Sequence, residues 1–219
     1  MKHLHIDIVS DIACPWCAIG YARLDQAKRA LAGEIEFTEQ WRAFELNPDD
    51  DALPEPILPA LARKYGRPEA EMQAAQAEMM GIAKSLGLNF EKMQERYTCN
   101  TFDAHRLLKW AAPQDKATFL KKALFEAYFG RAEDVSKPGV LIGCAKAAGL
   151  DADEAQRILE SDEFGQAVME EERSYQNAGV TAVPAFVVNQ RYLISGAQEA
   201  ETLVDAFRTM AQELDNNAP

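Results

Sequence analysis

The stretch Val9-Ser10-Asp11-Ile12-Ala13-Cys14-Pro15-Trp16-Cys17-Ala18-Ile19-Gly20 decides how this chain is read. Ahead of it, Leu4, Ile6 and Ile8 alternate with His5 and Asp7, the period of a strand over residues 4–9. From Cys14 onward, Cys14, Cys17, Tyr21, Leu24, Ala27 and Leu31 recur at steps of three and four, one face of a helix. Pro15 suits the first helical turn, where its missing N–H costs nothing, and Gly33 can end the helix. Ile35, Phe37 and Trp41 suggest a second strand. The chain therefore opens as βαβ, with two cysteines where strand gives way to helix.

Working outward, Asn47 to Pro59 is rich in Pro and Asp and reads as a linker, with Asp49-Asp50-Asp51 a solvated loop. Beyond it the period is helical. Met72, Ala75, Met79, Ile82 and Leu86 form one stripe ended by Gly87, and further helices are expected near 101–112, 114–129, 138–148, 151–160 and 163–178. Strands return at Ala185 to Val188 and Tyr192 to Ile194, joined as a hairpin by Asn189-Gln190-Arg191. Ser195-x-x-Gln198 reads as a capping box before a last helix carrying Leu203, Phe207, Met210 and Leu214. Neither end alone has enough strands to bury a sheet face. The expectation is an α/β chain in which residues 1–52 and 179–219 form one discontinuous domain, and residues 53–178 a helical insertion.

Composition narrows the function. Of 219 residues 47% are hydrophobic and 26% charged, as in globular proteins, and no repeat suggests a solenoid. The net charge is −12, from 23 basic and 35 acidic residues. That excess disfavours broad electrostatic binding to nucleic acid or anionic membrane, while leaving room for a local basic pocket. No apolar run approaches the length of a membrane span, and Met1 to Ser10 lacks the core and cleavage site of a signal peptide. A cytoplasmic setting is expected, and with it no structural disulfides.

Cys14-Pro15-Trp16-Cys17 is the one spacing that speaks directly of chemistry. The thiolate is the nucleophile in disulfide exchange, and a helix N-terminus offers free N–H groups and a positive dipole end that favour it. Cys14 occupies that place. Cys17, one turn deeper on the same face, can attack a mixed disulfide at Cys14 and release the substrate. Pro15 and Trp16 shape the contact surface. Zinc would want a second ligand pair, which is missing here, so no metal is expected. Two inert buried cysteines fit the strand–C-x-x-C–helix context poorly.

These stretches, with Phe44-Glu45-Leu46-Asn47-Pro48, Asn100-Thr101-Phe102-Asp103-Ala104-His105-Arg106-Leu107 and Gly179-Val180-Thr181-Ala182-Val183-Pro184-Ala185-Phe186, run along nearly the whole chain. In that order they resemble the DsbA-type thioredoxin superfamily, and within it the cytoplasmic FrnE-type dithiol–disulfide oxidoreductases and isomerases. The resemblance implies a thioredoxin-like fold interrupted by a large all-helical insertion, and a cis Val183–Pro184 bond beside the dithiol. Pro184 would cover the reactive sulfurs and Val183 would offer its backbone to an extended substrate. From the residues alone, Pro184 is equally a trans edge proline. The implied substrates are disulfide- or thiol-bearing proteins or small molecules. No cofactor is implied, and glutathione or a thioredoxin system would be the redox partner. The same architecture also resembles kappa-class glutathione transferases and hydroxychromene-carboxylate isomerases, in which a serine stands where Cys14 stands.

Other polar residues read less sharply. Asp7 could take the resolving thiol's proton or be a solvent-facing strand residue, and Asp11 could support the turn. Asn100 or Thr101 would cap a helix with Asp103 in its first turn. His105 would sit in a satisfied hydrogen bond, or face the dithiol. Cys99 and Cys144 read as buried small hydrophobes, and His3 and His5 as strand residues without a metal role.

Overall fold

A computed structural model describes residues 1–48 and 53–216, the side chains of residues 215 and 216 excepted. The Asp49-Asp50-Asp51 run and the expected boundary at residue 52 lie outside the described residues. Strand β1 (Lys2–Ser10), helix α1 (Pro15–Ala30) and strand β2 (Ile35–Ala43) form the opening unit, and strands β3 (Ala185–Val188) and β4 (Tyr192–Ser195) the closing hairpin. They make one sheet in the order β2-β1-β3-β4, with β1 and β2 parallel and the other pairs antiparallel. Residues from the two ends of the chain thus share a sheet that neither end could complete.

The alternation in β1 sets its register. Leu4, Ile6 and Ile8 are buried with Phe186 and Val188 on one face, where α1 and α9 (Ala200–Asn216) pack. Phe207 of α9 meets Phe37 edge-on at 5.2 Å, and Tyr21 of α1 meets Trp41 at 4.8 Å. A one-residue slip would bring Asp7 into that face and cost roughly 1.5–3 kcal/mol for each large side chain expelled. The opposite face holds a smaller cluster of Val9, Phe44, Val180 and Ala185.

Between β2 and β3 lie α2 (Ile57–Tyr65), α3 (Glu69–Ser85), α4 (Phe102–Ala111), α5 (Ala117–Phe125), α6 (Pro138–Ala147), α7 (Ala152–Leu159) and α8 (Gly165–Asn177). Three elements differ from expectation. Helix α2 starts inside the expected linker, at Ile57, whose N–H finds the Arg96 carbonyl at 3.0 Å. The helix expected over 114–129 begins only at Ala117, after Asp115 turns the chain at positive φ, and widens into a π turn over Glu126–Gly130. In α3 the buried positions are Met72, Gln76 and Ala83 while Ala75 is exposed, so the helix is rotated to turn a polar Gln76 inward.

The expected capping box is absent. Ser195 ends β4, the Gln198 side chain donates to the Ser195 carbonyl at 2.8 Å, and α9 begins only at Ala200. Gly196 turns the chain at φ 77° and donates its N–H to the Pro184 carbonyl at 2.8 Å, which delays the helix. At the hairpin tip Asn189 and Gln190 both adopt positive φ, a tight turn whose twist suits the strands.

Candidate functional site

At the C-terminal end of β1, the Asp11–Ala13 loop turns the chain into α1 and makes Cys14 the N-cap, in extended conformation, with Pro15 in the first turn. The Cys14 N–H donates to the Asp11 carbonyl at 3.3 Å and the Cys17 N–H to the Cys14 carbonyl at 3.1 Å. No side chain caps this helix and its first turn carries no acid, so its positive end faces the sulfur. Trp16 is 39% exposed while Cys14 and Cys17 are buried, at 5% and 1%. All four cysteines are free thiols.

The other wall comes from the far end of the chain. The Val183–Pro184 bond is cis. The Cys14 thiol donates to the Val183 carbonyl at 3.6 Å. Gly20 allows this approach: a Cβ there would lie 3.0 Å from Pro184 Cγ and 3.3 Å from Ala197 Cβ. Beside Cys14 opens a cavity of about 740 Å³, lined by Pro15, Trp16 and Val183 on one side and by α2 and α3 on the other. A separate cavity of about 480 Å³ along α1 holds no cysteine.

Beneath the dithiol lies a buried polar cluster. One carboxylate oxygen of Asp11 accepts from the Ala13 N–H at 3.2 Å and the Thr101 hydroxyl at 2.7 Å; the other accepts from the Leu46 N–H at 2.8 Å. Burial works to raise the Asp11 pKa, but His105, the Leu46 N–H and Lys121 outweigh it and the carboxylate stays ionised, below its ordinary value. Lys121 of α5 is fully buried, with Nζ 3.5 Å from the Ser10 carbonyl and resting on the rings of Trp41 and Phe125 at 5.2 and 5.3 Å. Burial pulls its pKa down to about 8, against the pull of Cys17, Asp11 and Cys14. Burial, and then its hydrogen bond with Cys14, push the Cys17 thiol well above the ordinary range, while Lys121 works the other way.

Cys14 thus meets both Cys17 and the Val183 carbonyl, Pro184 packs against α1 at Gly20, and Pro15 and Trp16 lie at the rim. Asp11 belongs to this site and Asp7 does not. Asp7 is buried rather than solvent-facing, because α8 covers that face of the sheet; its carboxylate takes Arg42 Nε at 2.7 Å. Thr101 spends its hydroxyl on Asp11, leaving Asn100 Oδ1 to accept the Phe102 N–H at 2.7 Å. His105 is buried behind Asp11, its Nε2 3.5 Å from the carboxylate and without a hydrogen bond, so the satisfied bond expected there is absent at that nitrogen. Cys99 and Cys144 are buried, and burial raises their thiols to about 12 and about 11. His5 bonds to Thr38 and Asp7.

Sequence reasoning missed Lys121, Arg96 and Gln76. Lys121 had a signal: a cation between Leu120 and Leu124, four residues before Phe125, on the buried side of a helix. Gln76 was hidden because Ala75 beside it also fits an apolar stripe.

The chain is similar to known proteins along its whole length. A probable DsbA oxidoreductase, SCO1869 from Streptomyces coelicolor, is 33% identical, with 99% of this chain and 92% of that one superposed at a TM-score of 0.86. The uncharacterized protein YwbO of Bacillus subtilis strain 168 is 25% identical over 198 residues, 89% of this chain and 90% of its own. The cytosolic disulfide reductase DsbM from Pseudomonas aeruginosa with GSH shares the fold at a TM-score of 0.62 and 13% identity, over 97% of this chain and 99% of that one. The family model for the DsbA-like thioredoxin domain matches residues 5–208. With a mixed α/β sheet, a helical stretch between its halves and this match along the chain, the protein belongs to the DsbA-like thioredoxin family of thiol–disulfide oxidoreductases.

Proposed function

We propose that Cys14 and Cys17 carry thiol–disulfide exchange, with Cys14 as nucleophile and Cys17 as resolving thiol. The observation that carries this is the placement of the Cys14 sulfur: at the uncapped start of α1, 3.6 Å from the Val183 carbonyl, at the edge of the cavity, with Cys17 sealed behind it. Only the first sulfur can meet a substrate.

The Cys14 thiolate attacks one sulfur of a substrate disulfide. An S–S bond forms to Cys14, the substrate's own S–S bond breaks, and one substrate thiolate leaves. Cys17 then gives its proton to the substrate thiolate already released and attacks Cys14 Sγ, closing the Cys14–Cys17 disulfide and breaking the mixed S–S bond, so that the second thiolate leaves. The substrate gains two electrons and the protein loses them. Burial makes the Cys17 proton hard to remove, and Lys121 supplies the charge against which it leaves. Val183 offers backbone groups to an extended substrate, and Pro184 beside them shields the sulfurs. When a further substrate thiol attacks the mixed disulfide in place of Cys17, the outcome is isomerisation. A FrnE-like role in the cytoplasm, reset by glutathione or a thioredoxin-type dithiol, completes the proposal. The glutathione-dependent isomerase alternative needs a serine or a single thiol at position 14 and has no use for Cys17.

The test is a pair of variants. Cys14→Ser should lower exchange by at least about 10³-fold, and Cys17→Ser should accumulate a mixed disulfide visible by mass spectrometry. Glutathione-dependent isomerase turnover surviving intact in Cys17→Ser would favour the alternative.

A further inference from the structure

The wall of the dithiol cavity formed by α3 and the segment before α4 holds a cation that pairs with no carboxylate among the described residues. Arg96 is 3% exposed and Gln76 1%, and both line the cavity that Cys14 enters. Arg96 donates to Gln76 Oε1 at 2.8 Å and to the Met93 carbonyl, and its guanidinium faces the rings of Tyr128 and Phe129 at 5.4 and 5.2 Å. Arg96 Nε and Gln76 Nε2 have no hydrogen-bond partner among the described residues, and both are enclosed, so that a ligand in the cavity reaches them through a side-chain shift. Among the described residues no carboxylate pairs with Arg96, whereas the neighbouring Arg63 and Arg67 pair with Glu55 and Glu71.

A buried guanidinium normally has a carboxylate. Leaving one unpaired costs stability, which is consistent with the burial that pulls the Arg96 pKa down. That cost has a use if the anion arrives with the substrate. The planar guanidinium with an amide N–H beside it matches a carboxylate's two oxygens. Thiols derived from amino acids and small peptides carry a carboxylate on the same molecule as the sulfur, and one cavity is lined by both Cys14 and Arg96.

We propose that Arg96 and Gln76 form a carboxylate-binding subsite, which selects disulfides bearing a carboxylate near the reacting sulfur. This deepens the dithiol reading and rests on it. The chemistry is the one already balanced: Cys14 forms the new S–S bond and the departing half leaves as thiolate, while the retained half keeps its carboxylate on Arg96.

The experiment follows oxidation of the fully reduced protein by four disulfides: glutathione disulfide, its full ester, a blocked peptide disulfide with glutamate next to cysteine, and bis(2-hydroxyethyl) disulfide. Each rate is divided by that of free dithiothreitol with the same compound, which removes intrinsic reactivity. The wild type should prefer glutathione disulfide to its ester by about tenfold or more, as one charge-assisted pair implies. In Gln76→Glu, which supplies an internal carboxylate to Arg96 and keeps the shape, that preference should fall toward one, and Arg96→Gln should do the same. An equal preference for the acidic peptide assigns the carboxylate to a protein segment; preference for glutathione disulfide alone assigns it to a small thiol. No preference in the wild type, or one that persists in Gln76→Glu, overturns the subsite. If bis(2-hydroxyethyl) disulfide does not oxidise the protein, or does so equally after Cys14→Ser, the dithiol reading itself has failed.

Discussion

Two buried charge clusters join the sheet to the helices, and they are built to different standards. On the α8 side, Arg42 donates to Asp7 at 2.7 Å, to Gln40 at 2.7 Å and to Glu171 at 2.9 Å. Glu171 also accepts the Ala43 N–H at 2.8 Å and pairs with Lys109. Burial alone would lower the Arg42 pKa; Glu171 and Asp7 raise it above its ordinary value. Under the dithiol, among the described residues, Lys121 has one hydrogen-bond contact, at 3.5 Å, and His105 Nε2 has none. The first cluster satisfies its charges and fixes geometry. The second satisfies Asp11 but leaves Lys121 and His105 under-satisfied, and burial lowers the pKa of both.

The sharpest way to break this contrast is to cut each cluster once. Glu171→Ala leaves Arg42 and the Ala43 N–H without their partner and should lower stability by roughly 3 kcal/mol, the lower end for a broken buried pair because Arg42 is partly exposed. Urea titration at pH 7 measures it. A loss below about 1 kcal/mol would mean that the α8 cluster is not a clamp.

Lys121→Met should act in the opposite direction. The lysine titrates near 10.4 when unfolded and at about 8 in the fold. At pH 7 the folded protein therefore holds a buried cation at a cost of about 3 kcal/mol, with the pull of Asp11 already counted in it, so the variant should gain roughly 2–3 kcal/mol. Between about pH 8 and 10.4 the unfolded chain binds more protons, so wild-type stability rises there and the difference closes. The same variant should prolong the mixed disulfide, since Cys17 loses the charge against which it deprotonates. A Lys121→Met protein that is less stable at pH 7 would assign Lys121 to the structural cluster.

The difference between the clusters also marks how far the sequence could be read. The strand alternation at Leu4, Ile6 and Ile8, the helical face from Cys14 to Leu31 and the terminal hairpin follow from local periodicity, and the structure keeps all three. The dithiol and the cis Val183–Pro184 bond came from a spacing and a resemblance respectively. What stayed illegible is long-range: Asp11 meets Thr101 across 90 residues, and Ser10 meets Lys121 across 111. No periodicity encodes such contacts, and a buried Lys121 beside an exposed-type Lys122 is written with the same letter. Asp7 misled for a related reason. Alternation assigns a polar residue to the second face, but only the placement of α8 decides whether that face meets water.

A smaller acid-side effect separates the clusters again. Burial, with Lys121 nearby, lowers the His105 pKa below 6.5, against the pull of Asp11. The unfolded chain then binds the extra proton first, so stability should fall as pH drops through about 6.5, by at most about 1.4 kcal/mol per pH unit. His105→Gln should flatten that slope. Asp11, whose folded pKa is depressed, contributes stability that is lost only at lower pH, below about 3.8, so the two windows can be told apart in one acid titration. An unchanged slope near pH 6 in His105→Gln would remove His105 from the account.

The smallest change tests whether the dithiol needs its second wall in place. Gly20→Ala puts a methyl 3.0 Å from Pro184 Cγ, so the proline ring or α1 must give by a few tenths of an ångström. The alanine also improves the helix by up to about 1 kcal/mol, and the two effects should nearly cancel in a melt. They should not cancel at the sulfur, because moving Pro184 carries Val183 and its carbonyl away from Cys14. Reaction of Cys14 with bis(2-hydroxyethyl) disulfide should slow by about threefold, an energetic change of only about 0.6 kcal/mol. Gly81→Ala in α3, where a methyl meets nothing within 4 Å, is the control: it should gain the helical stability and leave the rate alone. If both alanines stabilise equally and neither slows Cys14, the close approach of Gly20 to Pro184 is packing and nothing more.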